Sequence, residues 1–267
     1  MSNNESIGKT FGVVIALCLV CAVIVAAAAV GLRPQQNENK QLDVRKNVLA
    51  SVGLLTDGNI NEQFAKHIEV RVVNLDTGEF DAPSLEVMSK DPNGVYRKWM
   101  KEAGKNTALT AEEDLAKIKT RANFAPVYLA YAEGVESKKI SYIVIPVNGY
   151  GLWSTMHGFL ALESDASTIK GLNYYEHGET PGLGGEIQNP KWVAQFVGKK
   201  LFDADGKPAI KVLKPGNAVA GSAHDVDGLS GATLTSNGVQ HTFDFWLGAK
   251  GFAPFLTKVR GGALNNG

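Results

Sequence analysis

The sequence predicts an α+β protein in which a single N-terminal transmembrane helix precedes one mixed α/β domain. Three observations lead there. Phe11 to Leu32 is a run of 22 residues without a charge, enough to cross a hydrocarbon core that needs about 20 apolar residues. Beyond residue 60, short apolar segments alternate with turn residues, as strands do. Near the C-terminus Val239, Thr242, Phe243 and Trp246 recur at the spacing of one helix face. Strand signals dominate and helices are few, which selects α+β.

Residues 1–10 form a short polar tail. The 11–32 run is read as an uncleaved membrane anchor. A cleaved signal peptide competes with this reading, since Ala26 to Ala29 offers a cleavage site, but the run is long and Lys9 is the sole basic residue ahead of it. A lipoprotein signal needs small residues before its cysteine, and Leu19-Val20 precede Cys21. Residues 33–58 then comprise a polar juxtamembrane linker over 33–40 and a short amphipathic helix carrying Val44, Val48, Leu49 and Val52. The turn Asp57-Gly58-Asn59 leads into the main domain, 59–260.

Within that domain Ile68 to Val72 alternates strictly and predicts a strand. Thr110-Ala111-Glu112-Glu113 is a capping box that predicts a helix over Leu115 to Lys119. Val127 to Ala132 and Ile140 to Val147 predict two strands joined by a polar turn around Gly134 to Lys139. Phe159 to Leu162 is an apolar run, and Ile169 to Tyr175 a further strand. Pro190-Lys191-Trp192 starts a short helix that covers Val193, Phe196 and Val197, and Ile210 to Leu213 is a brief strand. The Gly-rich tail (Gly261, Gly262, Gly267) has no assigned role.

Basic and acidic residues balance at 27 each, so nothing favours a polyanionic partner and no nucleic acid is expected. The two cysteines, Cys18 and Cys21, both lie in the apolar run. No disulfide framework or zinc ligand set is therefore available elsewhere, and no metal site is expected.

The most informative stretch is Asp227-Gly228-Leu229-Ser230-Gly231-Ala232-Thr233-Leu234-Thr235-Ser236. Gly231 and Ala232 leave little bulk beside the Thr233 hydroxyl. Thr235 and Ser236 are favoured N-cap residues, which predicts that the final amphipathic helix starts behind them. A hydroxyl at a helix start sits where free N–H groups and the helix dipole favour an anion, with phosphate the natural candidate. The plainer alternative is a tight turn feeding a capped helix. A free threonine hydroxyl is a poor nucleophile, and no base built to activate it is evident, although His224 and Asp225 lie close in sequence. No catalytic residue is assigned.

His177-Gly178-Glu179-Thr180-Pro181-Gly182-Leu183-Gly184-Gly185 is a loop whose backbone can approach a flat ligand closely. It lacks the patterns of a P-loop or a Rossmann turn. An ordinary loop is the competing reading, and His177 is equally a structural histidine. Tyr150 and Trp153, in Gly149-Tyr150-Gly151-Leu152-Trp153, either flank a ligand or are core aromatics.

Asp227, Ser230, Gly231, Ala232 and Thr233 together resemble the flavinylation motif, Asp-x-x-Ser/Thr-Gly-Ala-Thr, of FMN-binding domains in ion-translocating redox complexes. Glu179 to Gly184 resembles the Glu-Thr-Pro-Gly-Leu-Gly loop of the same family. The likeness spans nearly the whole chain. Its order is most similar to the C subunits of sodium-translocating NADH:quinone reductases; the related flavin subunit of Rnf electron-transport complexes is generally shorter before the loop. The resemblance implies FMN joined through its phosphate to Thr233, with Asp227, Ser230, Gly231, Ala232, Leu234 and Thr235 around it. Glu179, Thr180, Pro181, Gly182, Leu183 and Gly184 would shape the ring site, with His177, Tyr150 and Trp153 as neighbours.

It further implies attachment by a separate, metal-dependent flavin transferase using FAD, and electron transfer from NADH-derived carriers toward quinone coupled to sodium export. Expected partners are the other subunits of the complex and membrane lipid around residues 11–32, and no NADH site is expected on this chain. The implied location is the cytoplasmic (inner) membrane, single-pass, with the FMN domain on the periplasmic side. The charges argue the other way, because Arg33, Lys40, Arg45 and Lys46 follow the anchor while Lys9 alone precedes it. An Rnf flavin subunit, a stand-alone flavoenzyme, a flavin-free extracytoplasmic binding module and a structural subunit are the alternatives.

Overall fold

The computed structural model describes residues 7–90 and 92–264; residues 1–6 of the polar tail and Gly267 lie outside the described residues. Contacts divide the chain into two units, Met1–Leu42 and Asp43–Gly267. Helix α1 (Ile7–Val52) is assigned without a break. Its apolar part is long and apolar enough to cross a membrane, and none of that window is buried. The polar stretch 33–40, expected as a linker, is helical, as are Gly8 to Thr10 of the expected tail. Arg, Gln, Glu and Lys are good helix formers, and the stretch contains no glycine to end the helix. Pro34 removes one backbone donor there.

The last ten residues of α1 belong to the second unit, where Val44, Val48, Leu49 and Val52 are buried as the amphipathic spacing predicts. The order continues with α2 (Ile60–His67), β1 (Ile68–Asn74), α3 (Ala82–Met88), α4 (Pro92–Trp99), β2 (Asn106–Ala108) and β3 (Thr120–Ala122). Next come β4 (Phe124–Ala130), β5 (Tyr142–Tyr150), β6 (Thr155–Glu163), β7 (Ile169–Glu176) and α5 (Pro190–Val193). The chain ends with β8 (Lys211–Leu213), β9 (Asp225–Asp227), α6 (Thr233–Trp246) and α7 (Ala253–Arg260). Asn59, placed by its sequence in a turn, also caps α2, its Oδ1 accepting from the N–H of Asn61 at 2.9 Å.

The main sheet has the order β1-β4-β5-β6-β7 and is antiparallel throughout. Side chains alternate between its faces. Val127, Leu129, Ile143, Ile145, Leu160 and Leu162 enter a large core that also holds Val239, Phe243 and Trp246 of α6. Tyr128, Val144, Phe159 and Ala161 enter a smaller one with Val44, Val48, Leu49 and Val52. Because helices cover both faces, the central strands read as continuous apolar runs, and only β1 keeps visible alternation. Gly171 marks the tightest approach on the smaller side, since a Cβ there would lie 2.3 Å from the Ser51 carbonyl oxygen. Helix α6 packs on β5, and the Trp246 indole N–H donates to the Asn148 carbonyl at 2.8 Å.

Two local expectations fail for identifiable reasons. The capping box forms, with the Glu113 N–H donating to Thr110 Oγ1 at 3.3 Å and the Thr110 N–H donating to Glu113 Oε2 at 3.1 Å, yet no helix follows. Asp114 takes the N–H groups of Ile118 and Lys119 at 2.7 and 2.8 Å. Lys117 and Lys119 turn left-handed, at φ of 54° and 66°. A local side-chain acceptor has outcompeted the helix. Val197, predicted to be covered by the helix starting at Pro190, falls beyond it and is 55% exposed.

Candidate cofactor site

The site is built from three segments: the β5–β6 loop, the glycine-rich loop after β7, and the turn between β9 and α6. Helix α6 begins at Thr233 with Ala232 as its N-cap, and no side chain caps it. The sequence favours Thr235 and Ser236 as caps; the structure places both inside the first turn, buried. The correction has a physical reason. Gly231 adopts a φ of 74°, a left-handed turn residue that brings the chain into helix at Thr233, earlier than cap preference suggests. Thr235 Oγ1 donates to Glu179 Oε2 at 2.7 Å, and Ser236 Oγ accepts from the Leu229 N–H at 2.8 Å.

Glu179 is the centre of the arrangement. It is 5% exposed, and its Oε1 accepts from the N–H groups of Trp153 at 2.9 Å and Ser154 at 3.2 Å. The Leu152 N–H reaches both oxygens, at 3.2 and 3.1 Å. Burial alone would raise its carboxyl pKa, but the Thr235 hydroxyl and these backbone donors hold it below the usual carboxylate value. One carboxylate thus ties the β5–β6 loop to the first turn of α6. Its lone pairs are occupied by protein donors, so Glu179 shapes the site from within.

Close backbone approach completes the joint. A Cβ on Gly238 would stand 2.5 Å from the Tyr150 carbonyl oxygen, and one on Gly151 would stand 2.7 Å from Glu179 Oε1. Gly238 is a glycine within a helix, a sequence signal for tight packing that the motifs do not include. The loop glycines divide into two roles. Gly182, at φ of 76°, faces open space, whereas a Cβ on Gly184 would lie 2.5 Å from Thr235 Oγ1 and 2.8 Å from Glu179 Oε2. Gly184→Ala is therefore expected to destabilise the domain by about 3 kcal/mol through overpacking, and Gly182→Ala by only about 1 kcal/mol through backbone strain. Chemical denaturation of the two variants reads the difference, and a reversed order would refute this division.

The remaining predicted residues take distinct places. Thr233, Ser230 and Gly231 are exposed, and Ala232 is buried. Asp227 Oδ1 accepts from the Ala218 N–H at 2.9 Å, and its carbonyl accepts from the Trp192 indole at 2.8 Å, which ties the turn to its neighbours. His177 Nδ1 accepts from the Glu179 N–H at 3.2 Å. Thr180 and Pro181 are exposed. Tyr150 is 40% and Trp153 65% exposed, so neither is a core aromatic. Together with Leu152, Leu183 and Leu234 they give the three joined segments a set of exposed apolar side chains. A Cβ on Gly231 would be 3.4 Å from Leu183 Cδ2, which brings the glycine-rich loop against the turn before Thr233.

Similarity to known proteins points the same way. The FMN-binding domain family matches residues 151–248, which include both the glycine-rich loop and the Thr233 turn. The C subunit of the Na(+)-translocating NADH-quinone reductase of Vibrio anguillarum is 54% identical over 267 residues, covering 99% of each chain. The same-named protein of Yersinia pestis is 50% identical over 270 residues, covering 99% of this chain and 97% of its own.

This chain belongs to the family of C subunits of Na(+)-translocating NADH-quinone reductases.

The crystal structure of NqrC from Shewanella oneidensis superposes with a TM-score of 0.75 at 37% identity, covering 84% of this chain and 99% of that one. The C subunit from Parabacteroides distasonis gives 0.61 at 29% identity, covering 85% and 97%. In this family frame the site suits FMN on its own geometry. No acceptor within the protein is found for the N–H groups of Thr233, Leu234 and Thr235 among the described residues, and the start of a 14-residue helix favours phosphate. The exposed apolar side chains suit a flat ring system. Among the described residues no cluster suited to a metal ion is found.

Proposed function

We propose that FMN is held covalently, through a phosphoester bond between its phosphate and Thr233 Oγ1, and that the chain carries electrons within the reductase complex. The observation that carries this reading is the exposed Thr233 hydroxyl at the first position of α6, beside N–H groups free to receive the phosphate. FMN supplies the redox chemistry when bound. The residues of this chain position it: Gly231 and Ala232 clear the approach to Thr233, and Glu179 fixes the loops beside it. Electrons would pass from NADH-derived carriers toward quinone, coupled to sodium export, in contact with the other subunits.

The attachment itself would fall to a flavin transferase, since a threonine hydroxyl needs an activating base and none is hydrogen-bonded to Thr233 Oγ1 among the described residues. Mass spectrometry of the Thr233 peptide from the native complex tests the linkage. The expected result is a peptide heavier by one esterified FMN, and an unmodified peptide in flavin-loaded protein would refute it. Residues 11–32 would lie in lipid, with Asp43–Gly267 on the periplasmic side of the inner membrane. The basic residues after the anchor oppose this orientation, but a domain of this size translocates largely regardless of flanking charge. Protease added to spheroplasts should digest the domain, and complete protection there with digestion only from the cytoplasmic side would reverse the assignment.

A further inference from the structure

Tyr150 also borders a second concavity, a cleft of about 440 Å³ with cationic walls. Arg97, Lys101, Lys117 and Lys119 line it. Arg97 pairs with Glu176, but no carboxylate among the described residues pairs with any of the three lysines. The nearby Asp114 is committed to the N–H groups of Ile118 and Lys119. In a chain whose formal charges cancel, three unpaired lysines around one concavity form a focused positive field. The backbone holds two of them there at a cost, because Lys117 and Lys119 are non-glycine residues in the left-handed region.

The floor supplies polar groups that the fold leaves without partners. Asn148 lines the cleft and is 5% exposed, and its side-chain amide makes no hydrogen bond with the described residues. Its cross-strand neighbour is His157, which lines the same cleft and whose ring makes no hydrogen bond with them either. Burial, reinforced by Arg97 and opposed by Glu176, pushes the His157 pKa down to about 4, so its imidazole is neutral and offers one donor and one acceptor. A recess of about 10 Å³ shares Arg97, Asn148 and His157 with the cleft and ends near Tyr96, whose hydroxyl is buried without a partner. Buried polar groups are ordinarily satisfied. Here one, the Tyr96 hydroxyl, stays unsatisfied, and the Asn148 amide and His157 ring of the same recess line the cleft without a protein partner among the described residues.

We propose that this cleft is a second ligand site, separate from the Thr233 cradle, that takes a small soluble polyanion of the phosphate class. Its volume is in the range of small-molecule sites. The lysines neutralise the charge, the Asn148 amide and the His157 ring offer donors from the cleft lining, and Tyr150 forms the wall nearest the cofactor loops. An acidic segment of a neighbouring protein would use the same charges, but an extended peptide has less use for donors set on the floor of the cleft.

The test is calorimetric titration of pyrophosphate into the full-length protein in neutral detergent, with ionic strength held constant by sodium chloride. One saturable site per chain is expected in flavin-free and flavin-loaded protein alike, which separates this result from the fate of the Thr233 linkage. The double variant Lys117→Gln, Lys119→Gln changes only exposed side chains and should weaken binding at least about tenfold, the loss of one or more charge-assisted contacts. Asn148→Leu should weaken it while leaving the response to chloride unchanged. Absence of saturable heat, equal affinity in the lysine double variant, or binding of a short oligoglutamate where pyrophosphate fails would each overturn the proposal.

Discussion

Replacing Thr233 by alanine is expected to give a folded protein that carries no flavin after denaturation. The substitution removes the one oxygen through which the proposed phosphoester can form. Thr233 is exposed at the first position of α6 and its side chain makes no hydrogen bond among the described residues, so thermal stability should change by less than about 1 kcal/mol, as for a surface site. In-gel fluorescence under ultraviolet light reads the outcome as a loss of the band, not a weakening. Thr233→Ser keeps the hydroxyl and should retain part of the label. Expression of the unaltered chain without a flavin transferase should leave it colourless. A fluorescent Thr233→Ala band would place the linkage elsewhere and end this assignment.

Glu179→Ala should have the second-largest effect, and of a different kind. It strips the acceptor from the Thr235 hydroxyl and from three backbone N–H groups. Donors left unpaired next to a small cavity cost about 1–3 kcal/mol each when buried, and with partial hydration the total should be about 3 kcal/mol. Flavin that does attach should be more exposed to solvent, seen as altered fluorescence quenching. Glu179→Gln keeps one acceptor oxygen and should recover much of the loss.

The acid response separates the two variants from wild type. The carboxyl of Glu179 is depressed in the folded protein, so its contribution to stability is complete above the ordinary carboxylate value. It is lost as pH falls through the lower folded one. Wild type should lose stability over that window by an increment that Glu179→Gln lacks. Identical acid profiles for the two proteins would remove Glu179 from the centre of the site.

How much of this is legible without the fold depends on the range of the interactions. Thr233 can be singled out because its features are local: small residues before it and an amphipathic face after it. The pairing of β4 with β5 is likewise readable from two apolar runs and the turn between them. Glu179 is recognisable as part of a loop, but its partners lie 25 to 27 residues before it and 56 after it, and no spacing rule reaches so far. The start of α6 is misplaced for the opposite reason. Cap preference favours Thr235 and Ser236, while the actual start follows from the left-handed turn at Gly231. The capping box at Thr110 is right as a set of bonds and wrong as a helix, because Asp114 supplies a stronger local alternative.

The bond between Thr235 and Glu179 also sets an order of events in the life of the molecule. The turn that presents Thr233 leans on earlier parts of the chain, with Trp246 of α6 bonded to β5 and Thr235 bonded to the glycine-rich loop. Those partners precede the motif in the sequence and are synthesised before it. On the proposed attachment, a transferase that reads the finished turn would act after folding, and a chain that stalls or misfolds would escape labelling. Covalent fluorescence in a population of this protein would then count the molecules that have completed their fold.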